Sequence, residues 1–570
     1  MISVQKYEFA EFRFHGEAAG NPFDAEFSAL LKTPTGAQRK VTGFYDGNNE
    51  YVLRFLPEEE GCFTFRTLSN LKALHGREGS FLCSGVRDGN HGPVRVKDQF
   101  WFAHADGTPF FEAGTTCYAW IHQKPALREQ TLDTLAKGYF NKIRMCVFPK
   151  WFEYNHREPE LYPFEGSKEE GFNYDRPNVA FFQHLDRCVG KLKELDIQAD
   201  IILFHPYDAP HWGFSRMDKE QDRRYLRYVT ARLSAYSNVW WSLANEYDLM
   251  KQGYKKRTSA WKSLISYVAK QDPYGHLVSI HQFSKIYDHR DKNITHCSIQ
   301  RMESYLSAEY TDRWIRKYGK PVVIDECAYE GNLNDSWGGI TAQELVRRFW
   351  EATARGGYMG HGETYYGENI WWSHGGTLYG ESHTRIKFLR EVMAACPNIH
   401  LQSESGPKNL ARAIAGADTQ LLYFGSNQPR SCSLHLWGDR DYTVRVIDTW
   451  NMTVQELSGC RGKVEIALPV RPYMAVLAIA EDSAPIGPFT RDSVFEQMKL
   501  YPGGRKLLRF LKCLIPQYYA GMLTMTVSDC SRAAGGILDG KAGDGILRIV
   551  NENQFAKGLF QMIASIITKK

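Results

Sequence analysis

Two apolar runs in this chain end on carboxylates. Val239-Trp240-Trp241-Ser242-Leu243-Ala244 delivers Asn245 and Glu246, and Pro321-Val322-Val323-Ile324 delivers Asp325 and Glu326. A carboxylate buried beside Trp and Leu is costly unless it is paired or hydrogen-bonded. A single such Glu could simply cap the following helix or pair with an arginine. Two of them, 80 positions apart (326 − 246), suggest chemistry instead. Facing carboxyl groups are the equipment for glycoside hydrolysis, in which one protonates the leaving oxygen and the other attacks the anomeric carbon.

Such residues need elements that bring them together. Runs this apolar read as strands buried on both faces, as in a parallel sheet. One β/α unit of a barrel takes roughly 30 residues, so 80 positions span two to three units and both glutamates reach one barrel mouth. From about residue 97 the pattern alternates strand and helix. Pro109–Gly114 reads as strand one, reaching Thr115, Tyr118 and Trp120, and Asn141–Phe148 as strand two, with Arg144 inside an apolar run. Ile197–Phe204 reads as strand three and delivers His205; Val239–Ala244 is strand four. Leu277–Ile280 reads as strand five, reaching His281 and Gln282, and Ile294–Ile299 as strand six, reaching Gln300. Pro321–Glu326 is strand seven, and Gly357–Thr364, carrying His361 and Glu363, is strand eight. Helices are expected over Gln130–Tyr139, around Phe181–Leu192, over Gln221–Tyr236, around Trp261–Val268, at Trp314, and from a capping box at Thr341 and Glu344. Eight such units make a (β/α)8 barrel over roughly residues 97–398.

The order and end residues of these strands resemble clan A glycoside hydrolases, the cellulase-like, family-5-like retaining enzymes. In that clan an Asn-Glu pair ends strand four and a Glu ends strand seven, which correspond to Asn245-Glu246 and Asp325-Glu326. The resemblance implies that Glu326 is the nucleophile and Glu246 the acid/base, acting by double displacement with retention on a β-glycosidic bond. It implies that Arg144 braces the nucleophile and that His205 lines the same pocket. Asn245 would bind the 2-hydroxyl, and Trp371 and Trp372 would stack on sugar or form a hydrophobic lid. The clan often sets a Tyr or His from strand six against the nucleophile. Here Gln300-Arg301-Met302-Glu303-Ser304-Tyr305 stands at that place, so Tyr305 is the candidate. His281 and His361 either line the pocket or satisfy backbone groups. Glu363 is the rival carboxylate, and Asp325 is expected to point away from Glu326. The segment from Asn21-Pro22-Phe23 to Gly43-Phe44-Tyr45-Asp46-Gly47 resembles a poorly characterised β-sandwich that precedes such barrels in bacterial enzymes.

Around the barrel the sequence reads as three further domains. Residues 1–90 show alternation, as in Tyr51, Leu53 and Phe55, between turn clusters such as Asp46-Gly47-Asn48-Asn49, which suits a β-sandwich. A second β-sandwich is expected over 400–482, from short strands such as Thr443–Ile447 and Met474–Ile479. Residues 483–570 read as a helical appendage with an apolar face of Leu507, Leu508, Leu511 and Leu514, suited to a homo-oligomer contact or a wall of the site. The glycines at 535, 536, 540, 543 and 545 lack a phosphate-binding spacing.

Composition narrows the function classes. The chain has 570 residues, 14% aromatics, a net charge of +5 without a basic block, and 12 scattered cysteines without zinc spacing. Nucleic acid is therefore not an expected partner, and no metal or other cofactor is required. No signal-like or membrane-spanning run is present, so the expectation is a cytoplasmic enzyme that does not engage membranes. The expected partner is a carbohydrate, with exo action on oligosaccharides or small glycosides. The alternatives are a barrel that binds carbohydrate without cleaving it, and a metal-dependent barrel hydrolase using His205, His281 and a carboxylate.

Overall fold

The computed structural model describes residues 2–568 except 210, 252–255, 305, 368–369, 405–409, 439 and 483–487. The chain forms two compact units, Met1–Ala352 with Gly357–Glu391, and Thr353–Gly356 with Val392–Lys570.

The first unit contains a (β/α)8 barrel. Its strands are β1 (Gly114–Thr116), β2 (Lys142–Cys146), β3 (Gln198–Ile202), β4 (Val239–Ser242), β5 (Val278–Ser279), β6 (Cys297–Gln300), β7 (Val322–Glu326) and β8 (Tyr358–His361). They run parallel in chain order, and β8 pairs back onto β1. Between β5 and β6 the wall is carried by Thr295, whose N–H donates to the Val278 carbonyl at 2.9 Å. Every residue of the β2, β3, β4, β6 and β7 strands is buried, which is why those runs read as apolar.

Besides the single turn Trp371–His374, the helices are α1 (Pro125–Leu135), α2 (Val179–Glu194), α3 (Lys219–Leu233), α4 (Thr258–Gln271), α5 (Thr311–Tyr318), α6 (Ala342–Thr353) and α7 (Ser382–Ala394). The first lies about five residues ahead of the expected span. Pro125 starts it at a position where a missing N–H costs nothing, and Gly138, at φ +71°, follows its end. At α6, Thr341 Oγ1 accepts from the Glu344 N–H at 3.2 Å, but the Glu344 carboxylate turns to Arg347 and Arg348 rather than back to Thr341. Only half of the expected capping box forms there. The full box is at α3, between Asp218 and Gln221.

Before the barrel stands a pair of sheets, one five-stranded and one three-stranded, packed around Phe27, Phe55, Phe63, Phe65 and Phe81. It is fastened to the barrel helices by buried charges. Arg54 reaches Asp186 of α2 at 2.9 Å, and Arg232 of α3 reaches Asp46 at 2.6 Å and Asp186 at 2.8 Å. The hairpin Val94–Lys97 with Trp101–His104 places Val94 and Phe102 against Phe110, Trp240 and Tyr358.

In the second unit a six-stranded sheet and the pair Ser431–His435 with Lys463–Ala467 enclose a core including Leu422, Leu434, Val444, Ile466 and Val476. Five further helices follow, α8 (Pro502–Leu514), α9 (Pro516–Leu523), α10 (Val527–Ala533), α11 (Lys541–Glu552) and α12 (Phe555–Thr568). The glycine-rich stretch has a packing role. Gly545 of α11 meets Gly558 of α12 so closely that a Cβ on Gly545 would stand 2.6 Å from the Gly558 carbonyl oxygen. Gly545→Val is therefore expected to destabilise this unit by about 1–3 kcal/mol through overpacking, read as a lower midpoint in a urea melt. An unchanged midpoint would mean that the helices cross elsewhere.

Candidate active site

Glu246 follows β4 and Glu326 ends β7, and both are buried. Glu246 holds a left-handed backbone, φ +51°, rare for a residue with a side chain and the kind of strain that collects at functional sites. The Tyr207 phenol donates to its carboxylate. Burial, then the neighbouring Glu326, push the Glu246 carboxyl up to about 7.

Glu326 has different company. The Tyr118 phenol donates to it and lies 3.2 Å from Asn245 Oδ1. Arg144 Nη1 stands 3.6 Å from Glu326 Oε1, an ion pair rather than a hydrogen bond, and Arg144 Nη2 donates to Asn245 Oδ1 at 3.1 Å. Burial raises this carboxyl too, opposed chiefly by Arg144 and by the Tyr118 hydrogen bond. Two like charges here compete for one proton, and the arginine favours ionised Glu326 and protonated Glu246.

Beneath them lies a fully buried charge cluster. Lys142 reaches Asp325 at 2.9 Å, Glu112 at 3.1 Å and Asp200 at 3.5 Å, and Arg144 reaches Asp200 at 3.6 Å and Asp325 at 3.8 Å. Ser298 donates to Asp325 at 2.5 Å. Asp325 thus points into the barrel interior and is held well below the usual carboxylate range by Lys142 and Arg144 against its burial, whereas burial pushes Glu112 up to about 7. The cluster fixes where the Arg144 guanidinium can point.

The other expected residues divide. His205 accepts from the Tyr207 N–H at 3.1 Å and donates to the Phe148 carbonyl at 3.1 Å; burial lowers it to about 3, so it is a neutral brace under Tyr207. His281 is buried beside Arg144 and Asp325, with no hydrogen bond to its ring among the described residues. Trp372 packs against Tyr118, with ring centres 5.3 Å apart, and against Trp337 and Phe152. Trp371 is buried in the wall, donating from its indole to Thr115 at 2.8 Å. His361 bonds to Thr115 at 2.9 Å and lies over Phe140, with no bond to either carboxylate. Tyr305 lies outside the described residues. The rival Glu363 accepts backbone N–H groups from Tyr379 and Gly380 at 2.5 and 2.8 Å, so it pins a loop.

Three residues for which the sequence suggested no role complete the arrangement: Tyr118, Lys150 and Tyr207. Tyr118 and Lys150 lie on loops past β1 and β2, and Tyr207 lies in the short 3-10 turn Pro206–Asp208 past β3. Among the described residues no group of three or more His, Cys, Asp or Glu side chains is placed to hold a metal ion. No helix of the described residues is long and apolar enough to cross a membrane, and none of the twelve cysteines is paired.

Comparison with known proteins fits this geometry. Residues 97–394 match the family described as apiosidase-like, catalytic domain. Residues 3–70 match the domain of unknown function DUF5060, and residues 410–478 match DUF5605, also of unknown function. A solved structure described as that of a putative glycoside hydrolase from Bacteroides vulgatus ATCC 8482 shares 36% identity with a TM-score of 0.79, over 84% of this chain and all of that one. A glycoside hydrolase family 5 protein of the same strain shares 13% identity with a TM-score of 0.53, over 68% of this chain and 94% of that one, which shows the shared fold alone. No curated protein matches the chain.

Proposed function

This chain belongs to the apiosidase-like family of glycoside hydrolases, and from that membership we propose that it cleaves a β-glycosidic bond with retention of configuration. The observation that carries the reading is the contrast between its two buried carboxyls. Burial raises both, but Glu246, beside Glu326, is pushed up to about 7, while the rise at Glu326 is opposed chiefly by Arg144 and the Tyr118 hydrogen bond. Paired carboxyls driven into different protonation states are the signature of an acid and a nucleophile.

In the first step Glu326 attacks the anomeric carbon, and Glu246 gives its proton to the leaving oxygen as the glycosidic bond breaks. In the second, Glu246 takes a proton from water, which attacks the same carbon and releases Glu326. Asn245, held by Arg144, would meet the 2-hydroxyl, a contact that strengthens in the transition state. A carboxyl pair buried beneath Tyr118, Tyr207 and Trp372 suits a closed pocket and exo action on small glycosides. Unpaired cysteines throughout suit the cytoplasm.

The test is a panel of aryl β-glycosides (glucoside, galactoside, xyloside, glucuronide and, from the family's description, apioside), with the first-formed anomer read by proton NMR. Release with retention is expected from at least one. Release of the opposite anomer, or of nothing, would overturn the reading.

The pH profile should be a bell. Glu326 must be ionised, so kcat/KM falls on acidification through its pKa. Glu246 must be protonated, so kcat/KM falls as pH rises through about 7. Activity that keeps rising above pH 8 would take the acid role from Glu246.

Arg144→Lys keeps the charge but loses the planar fork shared between Asn245 and Glu326. It is expected to lower kcat/KM by about 10²-fold, the cost of small misplacements at a reacting centre. Wild-type kinetics in the folded variant would remove Arg144 from the site.

A further inference from the structure

Lys150 is buried, 2% exposed, on the loop after β2. Its Nζ stands 3.9 Å from the ring centre of Tyr118, 4.1 Å from Trp372, 4.4 Å from Tyr207 and 5.2 Å from Phe152. Among the described residues no carboxylate lies within ion-pair distance of it. The loop around it is pinned: the Asn155 amide donates to the Lys150 carbonyl, and the Trp151 N–H donates to the Tyr207 carbonyl at 2.7 Å.

Two of the four rings are the phenols that donate to the catalytic carboxyls, Tyr118 to Glu326 and Tyr207 to Glu246. The ammonium therefore sits between both donors. A cage needed only for packing would be better filled by methionine, because burying an ammonium without a bonded anion is costly. A cation over a phenol ring is attracted to the ring face and makes the O–H a stronger donor.

Resting on the glycosidase reading above, we propose that Lys150 is a positioning residue: its ammonium holds Tyr118 and Tyr207 on their two carboxylates and supplies the positive charge against which that pair shares one proton. The titratable and charged groups around it are Cys146, whose thiol burial pushes up to about 12, together with Glu246, Glu326, Arg144, Tyr118, Tyr207 and His205, which burial keeps neutral. Burial brings the ammonium itself down to about 8, so it is charged wherever Glu246 is protonated. Removing a nearby cation raises the pKa of a carboxyl, so its loss must move both carboxyls upward.

The experiment compares Lys150→Met and Lys150→Arg in the full chain. One readout is the pH profile of kcat/KM on the aryl glycoside the wild type cleaves. The other is carbon-13 NMR titration of glutamate carboxyls labelled at Cδ, with the Glu246 signal identified by its loss in Glu246→Gln. In the Met variant both limbs of the profile and the Glu246 titration should move up by about one pH unit, and kcat should fall more than KM changes. The Arg variant should return the titration towards the wild-type position. Should the Met variant not fold, Lys150→Gln, polar but uncharged, carries the same expectation. A folded uncharged variant that titrates Glu246 where the wild type does, or an Arg variant that shifts as far as Met, overturns the proposal. If the wild type cleaves no glycoside, the proposed function fails, while the NMR titration still decides whether Lys150 governs the carboxyl pair.

Discussion

Glu326→Gly should abolish turnover of every glycoside, with a loss on the order of 10⁶-fold, the scale seen when a hydrolase loses its covalent nucleophile. The fold should survive, because Arg144 keeps Asp200 and Asp325 as partners after the carboxylate is gone. The space left is bordered by Tyr118 and Arg144, so it is polar and positively charged. Azide is small and anionic and can enter it. From there it attacks the anomeric carbon on the face Glu326 used, while Glu246 protonates the leaving group. Inversion occurs once, so the product should be a glycosyl azide of inverted configuration. Product NMR reads this directly, and a retained azide would show that Glu326 is not the nucleophile.

Much of this site was legible in the sequence for a physical reason. Asn245, Glu246, Arg144 and Glu326 each lie in or just after a buried strand, where a polar residue is expensive and so stands out. The same contrast made the barrel readable, because strands buried on both faces give apolar runs. Tyr118, Lys150 and Tyr207 gave no such signal. They sit on loops and a short turn of an aromatic-rich chain, and only the closing of the barrel brings them together. The phenol that donates to Glu326 is Tyr118, which follows β1. His361 lies on β8, but its ring turns to Phe140 and Thr115, and a strand's alternation of faces cannot be assigned before its register is known. The hairpin of Phe164–Ser167 with Gly171–Pro177 was missed because its aromatics Phe164, Phe172 and Tyr174 are too few, among glycine, asparagine and charged residues, to make an apolar run. The helices Val527–Ala533 and Lys541–Glu552 lie within the segment expected to be helical, and at Gly545 the glycine lets two helices touch.

Glu246→Ala should give a different set of defects, and the difference separates the two roles. Loss of a general acid costs about 10²–10⁴-fold when the leaving group needs its proton. With dinitrophenolate, which departs without protonation, formation of the covalent intermediate should be nearly unimpaired. Its hydrolysis should then be slow, because no base activates water, giving a burst followed by slow turnover. The fall in activity above about pH 7 should disappear on this substrate, since the group responsible for it is gone. Azide needs no base, so it should accelerate the second step. It attacks an intermediate already inverted once by Glu326, and the glycosyl azide should have retained configuration. A burst without azide rescue would mean that something other than a missing base limits the second step. The same azide anomer from Glu246→Ala and Glu326→Gly would mean that the acid and the nucleophile have been exchanged. Unimpaired turnover of glycosides with poor leaving groups would remove Glu246 altogether. Glu363 would be a poor substitute, because its carboxylate is already committed to the backbone of Tyr379 and Gly380.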